Sequence, residues 1–151
     1  MENIFKDILK GRVVIVGVGN LLKGDDGLGP ALVQRLRDRV SAVCIDAGTA
    51  PENFTGAIKK EAPDTVLIVD AADLGKAPGQ YQLLEKEDIA RIGFTTHDIS
   101  PAMLMGYLQS ETKSRIYMLG IQPEKIDFEE RLSQPVRKAI EETTKQIEEA
   151  L

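Results

Sequence analysis

Asp26, Asp70 and His97 are the residues whose types and placement best suit chemistry. Asp26 lies in the loop Gly19-Asn20-Leu21-Leu22-Lys23-Gly24-Asp25-Asp26-Gly27, Asp70 ends the apolar run Val66-Leu67-Ile68-Val69, and His97 is the only histidine. Two carboxylates and an imidazole form a donor set for a divalent cation, with zinc, nickel, iron and manganese all accommodated. Each residue sits where an apolar strand pattern or a glycine-containing loop gives way to polar sequence. In an open parallel sheet such points gather at one crevice, so the three are expected to meet around a shared metal.

The same residues admit plainer readings. One of Asp25 and Asp26 is suited to capping the following helix and the other to solvation, Asp25 being the better candidate for an incidental role. Gly17 and Gly19 begin a dinucleotide fingerprint, but Leu22 stands at its third glycine, and no phosphate loop ending in Lys-Ser or Lys-Thr is present. Two carboxylates beside a helix start also repel a pyrophosphate. Asp73 is a second choice to Asp70 and is expected beyond the strand end. Cys44 sits inside an apolar run, where cysteine acts as a small core residue. Neither a Gly-x-Ser-x-Gly elbow nor a His-Glu-x-x-His helix occurs.

The elements that must position these residues follow from hydrophobic period. Val13–Val16 reads as a strand buried on both faces, and Leu28, Ala31, Leu32 and Leu36 recur at helical spacing behind it. Ala42–Ile45 ending at Asp46 and Thr65–Val69 ending at Asp70 read as further strands, with a weaker helix or turn over Pro51–Ile58 between them. Tyr81–Leu83 suits an edge strand and Arg115–Ile121 a buried one. Ser100 and Ser133 are expected to cap two helices, the first carrying Met103, Leu104, Tyr107 and Leu108 on one face, the second Val136, Ile140, Ile147 and Leu151. Strands alternating with helices predict an α/β three-layer sandwich, a mostly parallel central sheet with helices on both faces. The 151 residues suit a single domain, 1–151.

Composition narrows the partners. The 19 basic and 24 acidic residues give a formal charge of -5, with no basic stripe interleaved with aromatics, which argues against nucleic acid. No apolar stretch is long enough to span a bilayer, and the first ten residues do not resemble a signal peptide. The single cysteine forms no internal disulfide, so a cytoplasmic protein with no membrane partner is expected.

Several blocks taken together resemble the hydrogenase maturation endopeptidases. They are Gly17-Val18-Gly19-Asn20, Asp25-Asp26-Gly27-Leu28-Gly29, Asp46-Ala47-Gly48-Thr49-Ala50-Pro51-Glu52-Asn53, Ile68-Val69-Asp70-Ala71-Ala72-Asp73, Thr95-Thr96-His97 and Leu119-Gly120-Ile121-Gln122-Pro123. The wording is nearest the branch that serves formate-hydrogenlyase-type hydrogenases, notably at Ala50–Asn53 and Gly120–Pro123. The resemblance implies an endopeptidase that removes the C-terminal extension of a nickel-iron hydrogenase large-subunit precursor. Nickel already delivered to that precursor would serve mainly in recognition, contacted by Asp26, Asp70 and His97, with another divalent metal able to occupy the same site. Asp46 corresponds to the aspartate of the family's Asp-Gly-Gly-Thr motif, with Ala47 replacing the first glycine, and Asp46 or Asp70 is the candidate to activate water. The competing expectation is a nickel carrier or docking module without proteolytic activity, and a weaker third is a nucleotide-binding domain.

Overall fold

The structure is a computed structural model that describes residues 2–94 and 100–151. Its strands are β1 (Val13–Val18), β2 (Val43–Gly48), β3 (Thr65–Asp73), β4 (Tyr81–Leu84), β5 (Gly93–Phe94) and β6 (Arg115–Ile121). β2, β1, β3 and β6 lie side by side in that order and in parallel, and β4 pairs antiparallel with β6 at the edge. β5 pairs antiparallel with Ala72 and Asp73 of β3. The helices are α1 (Leu28–Leu36), α2 (Thr55–Lys60), α3 (Pro101–Glu111) and α4 (Gln134–Ala150).

Alternation along the strands sorts the apolar side chains into two cores. Val13, Ile15, Leu67, Val69, Leu119 and Ile121 pack with Leu28, Leu32 and Leu36 of α1 and with Val136, Ile140 and Ile147 of α4. Val14, Val16, Val66, Ile68, Ile116 and Met118 pack with Ile58 of α2 and with Leu104, Met105 and Leu108 of α3. Both faces of the sheet are therefore covered, which is why the central strands read as unbroken apolar runs. The three-layer arrangement predicted from the alternation of elements is the one observed.

Strand order locates the functional rim. The chain leaves β1 through α1 to reach β2 on one side, then returns through α2 to β3 on the other side of β1. The direction of winding thus reverses between β1 and β3. The carboxyl ends of two such strands diverge in their connections and leave a crevice there.

Several local expectations need correction. β3 does not stop at Asp70: Asp70 and Ala71 pair with Gly120 and Ile121, and Ala72 and Asp73 pair with β5, so Asp73 is the last strand residue and not beyond it. On α3 the buried residues are Leu104, Met105 and Leu108, whereas Met103 is 67% exposed. Tyr107 is also exposed, and its hydroxyl accepts a hydrogen bond from Lys59 Nζ at 2.9 Å, a polar contact with α2 that replaces core burial. Leu151 lies past the last helical residue of α4 and is exposed. Ser100 and Ser133 occupy the N-cap positions, but neither side chain caps its helix. The Ser133 hydroxyl is instead spent on Asp25.

Candidate active site

The loop from Gly19 to Gly27 folds over the end of β1 before α1 begins. Gly24-Asp25-Asp26-Gly27 forms a 3-10 turn that packs against β3. Close approach requires glycine at position 29, where a Cβ would collide with the carbonyl oxygens of Val18 and Val69, one from each strand flanking the crevice. This contact brings the start of α1 down onto the β1–β3 pair, at the level of Asp70.

Asp26 and Asp70 are both buried, at 4% and 1% exposure. Asp26 Oδ2 accepts a hydrogen bond from Asn20 N at 3.1 Å, and Asp70 Oδ1 accepts one from Ala71 N at 2.8 Å. One oxygen of each carboxylate is therefore held by a main-chain amide, which fixes the side-chain direction. Asp70 lies on the same strand face as Val66 and Ile68, looking toward the α2 and α3 side. There it lines a small cavity with Val18, Pro51, Ile68, Pro101, Leu104 and Met118. The free space in that cavity, about 10 Å³, is no more than one water occupies.

His97 lies outside the described residues, and among the described residues no three histidine, cysteine or acidic side chains gather as a metal-holding group. The two predicted acids of the trio are brought to the same end of the β1–β3 pair. The described residues resume at Ser100, immediately before Pro101 of α3, which lines the Asp70 cavity. Buried carboxylates held by main-chain amides at a sheet rim are hard oxygen donors of the kind that suit a divalent cation.

Asp46 is placed differently. The expected strand does not end at Asp46 but runs on to Gly48, and within it Asp46 Oδ1 accepts a hydrogen bond from Gly48 N at 3.0 Å and Oδ2 one from Gln34 Nε2 of α1 at 3.2 Å. Its neighbours Ile45 and Ala47 face the α2–α3 core, so Asp46 faces the α1 side, opposite to Asp70. The carboxylate secures the turn at Gly48, whose φ of 57° lies in the left-handed region. The structure does not bring Asp46 to the cavity that Asp70 lines.

Asp25 is the residue whose importance the sequence reading missed. It is fully buried and neither caps α1 nor meets solvent. Oδ2 accepts hydrogen bonds from Glu124 N at 2.7 Å, Lys125 N at 3.2 Å and Ser133 Oγ at 2.7 Å, and Oδ1 accepts one from Ser133 N at 2.7 Å. This carboxylate ties the Asp26 loop to the segment between β6 and α4, and places a negative charge at the N-terminus of α4, where the helix dipole favours it. The Ser133 cap signal was the available hint, but its partner lies across the fold. A second missed feature is Glu52, next to Pro51 of the cavity lining. Its Oε2 is buried and has no hydrogen-bond partner among the described residues.

Cys44 is half-buried in β2 and packs against the α1–α4 core. Burial pushes its thiol up from the ordinary value, Arg37 partly opposing the shift and Asp38 adding to it. A raised thiol is the opposite of an activated nucleophile.

Known proteins resemble this chain in sequence and in fold. A family model described as HycI, hydrogenase maturation protease, matches residues 28–150. The hydrogenase 3 maturation protease of Escherichia coli K12 is 37% identical over 138 residues, which cover 89% of this chain and 88% of that protein. The crystal structure of a [NiFe] hydrogenase maturation protease HycI from Thermococcus kodakarensis superposes with a TM-score of 0.89 at 28% identity, over 98% of each chain. The solution structure of the endopeptidase HycI from Escherichia coli gives 0.83 at 36% identity, covering 92% of this chain and 90% of that one. The matching blocks other than Thr95–His97, which lies outside the described residues, thus sit on the fold they imply, and the chain belongs to the hydrogenase maturation protease family, as a hydrolase of peptide bonds.

Proposed function

We propose that this protein removes the C-terminal extension of a nickel-iron hydrogenase large-subunit precursor, and that nickel carried by the precursor marks it for cleavage. The observation that carries this reading is the pair of buried carboxylates, Asp26 and Asp70, held at the winding reversal between β1 and β3. In this reading Asp26, Asp70 and His97, the last outside the described residues, contact the nickel of the substrate. Nickel there belongs to the precursor and serves recognition, which fits a trio of protein ligands that leaves room for ligands from outside. A closed structural metal site would normally be completed by protein ligands alone.

The chain's own contribution is positioning. The amides of Asn20 and Ala71 orient the two carboxylates before substrate arrives. The filled space beneath Asp70 keeps the peptide at the rim. Fixing a scissile bond against a water is worth up to about 7–11 kcal/mol of barrier when the geometry is well aligned. Asp70, unlike Asp46, lies where a carboxylate can also serve that water. We place this reaction in the cytoplasm, whose reducing conditions suit a protein with a single cysteine.

The test incubates the enzyme with nickel-loaded and nickel-free precursor and follows the mass of the large subunit. Shortening of the loaded form alone is expected, and equal shortening of both would refute nickel recognition. Asp26→Ala, Asp70→Ala and His97→Ala should each suppress processing with the fold intact by circular dichroism. Stable complex formation with unchanged precursor mass would point to a docking module instead.

A further inference from the structure

Four of the large apolar side chains that the fold leaves exposed stand on two loops. Leu21 and Leu22 belong to the loop that carries Asp26, and Ile126 and Phe128 belong to the segment between β6 and α4. Phe128 is 85% exposed, more than any other large apolar residue described. These loops are not loose. Gly24 N donates to Glu129 O at 2.6 Å, Asp25 N to Lys125 O at 2.8 Å and Glu129 N to Leu22 O at 3.0 Å, and Lys23 and Glu129 form a parallel bridge. Gly24 adopts a φ of 54°, and a Cβ there would stand 2.8 Å from Lys125 O, so the loops approach as closely as glycine permits. Beneath them the buried Asp25 carboxylate accepts the amides of Glu124, Lys125 and Ser133.

A rigid support that holds leucine and phenylalanine in water is costly unless something covers them, and concentrated exposed apolar groups mark interaction sites. Resting on the function proposed above, we infer that this two-loop platform is the docking surface for the precursor protein, whose own apolar side chains cover Leu22 and Phe128 while its scissile segment lies at Asp26 and Asp70. Continuity selects this occupant. The platform and Asp26 share one loop, so a protein that delivers a peptide to Asp26 passes over Leu21 and Leu22. A second copy of the chain seated there would cover the rim needed for turnover. Four partly exposed side chains also fall short of the roughly 800 Å² per partner of a stable protein interface, which suits an encounter that ends with product release.

Leu22→Ser and Phe128→Ser, singly and together, test the surface, with Leu151→Ser at the far end of α4 as a control for loss of an exposed apolar group. Steady-state processing of nickel-loaded precursor is measured beside direct calorimetric binding of the same precursor. The double variant should raise KM and Kd about tenfold or more with kcat unchanged, since burial of such side chains dominates small docking contacts. The control should change neither. Unaltered KM and Kd in the double variant would overturn the inference, as would a fall in kcat at constant KM. Sedimentation showing a wild-type dimer that the double variant dissociates would also overturn it, assigning the surface to a second copy. A wild-type enzyme that binds but does not shorten the precursor would refute the proposed function, while the binding arm still decides the surface.

Discussion

Replacing Asp25 by alanine should cost this protein about 3–4 kcal/mol, although the change touches neither Asp26 nor Asp70. The buried carboxylate accepts the amides of Glu124, Lys125 and Ser133 and the Ser133 hydroxyl. Hydrogen bonds to a charged acceptor contribute about 1.5–3 kcal/mol each, but bonds sharing one acceptor group do not add. The more useful count is of stranded donors. Loss of the carboxylate leaves three main-chain amides without their acceptor, at about 1–3 kcal/mol apiece. The cavity of ≈ 190 Å³ that Asp25 lines with Glu124, Lys125 and Ser133 lets water reach them, which favours the lower end of that range. Adding the lost hydroxyl contact gives the estimate. For a chain of this length it corresponds to a fall in Tm of about 6–16 °C.

Urea unfolding followed by circular dichroism measures the change directly. Asp25→Asn keeps one acceptor oxygen but turns a donor toward an amide, so it should lie between Asp25→Ala and Ser133→Ala, the last losing only the hydroxyl contact. The expected order of destabilisation is Asp25→Ala, then Asp25→Asn, then Ser133→Ala. A loss below about 1 kcal/mol for Asp25→Ala would refute the reasoning, because it would place the Asp25 hydrogen bonds within the range of ordinary surface contacts.

Cys44 should be a poor nucleophile in the folded protein. Burial raises its thiol above the ordinary value, so the native state holds the proton more firmly than the unfolded chain. Its contribution to stability is intact below about pH 9 and is lost as the pH rises through the folded value. Iodoacetamide at pH 8 should label the native protein more slowly than the urea-unfolded one, and equal rates would contradict this. Glu52→Gln removes the charge next to a buried oxygen that has no partner among the described residues, so it should leave stability unchanged or slightly higher. A lower Tm would show that the oxygen is paired in the free enzyme.

The sequence carried the architecture most clearly where burial is complete. Arg115–Ile121 forms β6 with the predicted bounds, and Leu28, Leu32 and Leu36 of α1 all face the core, because a strand covered on both sides and a helix with one apolar face leave strong periodic patterns. The same patterns put Asp26 and Asp70 near the carboxyl ends of β1 and β3, although β3 runs on through Asp73 and does not end at Asp70. Met103 and Tyr107 were misplaced because helical spacing specifies a stripe but not its centre, which the contact with Lys59 helps set.

Asp46 shows what local pattern cannot hold. Its sequence pattern predicts a strand end like that of Asp70, yet β2 runs on to Gly48 and parity along it turns Asp46 to the opposite face of the sheet, onto Gln34. Asp25 shows it more sharply. Beside Asp26 it looked incidental, because the residues that define its role, Glu124, Lys125 and Ser133, are distant in the chain. Periodicity and residue type are properties of neighbours in sequence, so they determined the strands, the helices and the acids at the rim. Which of those acids faces the crevice, and which one is buried to clamp two loops into a platform, depends on hydrogen bonds between distant segments. Only the packed chain brings those donors within reach.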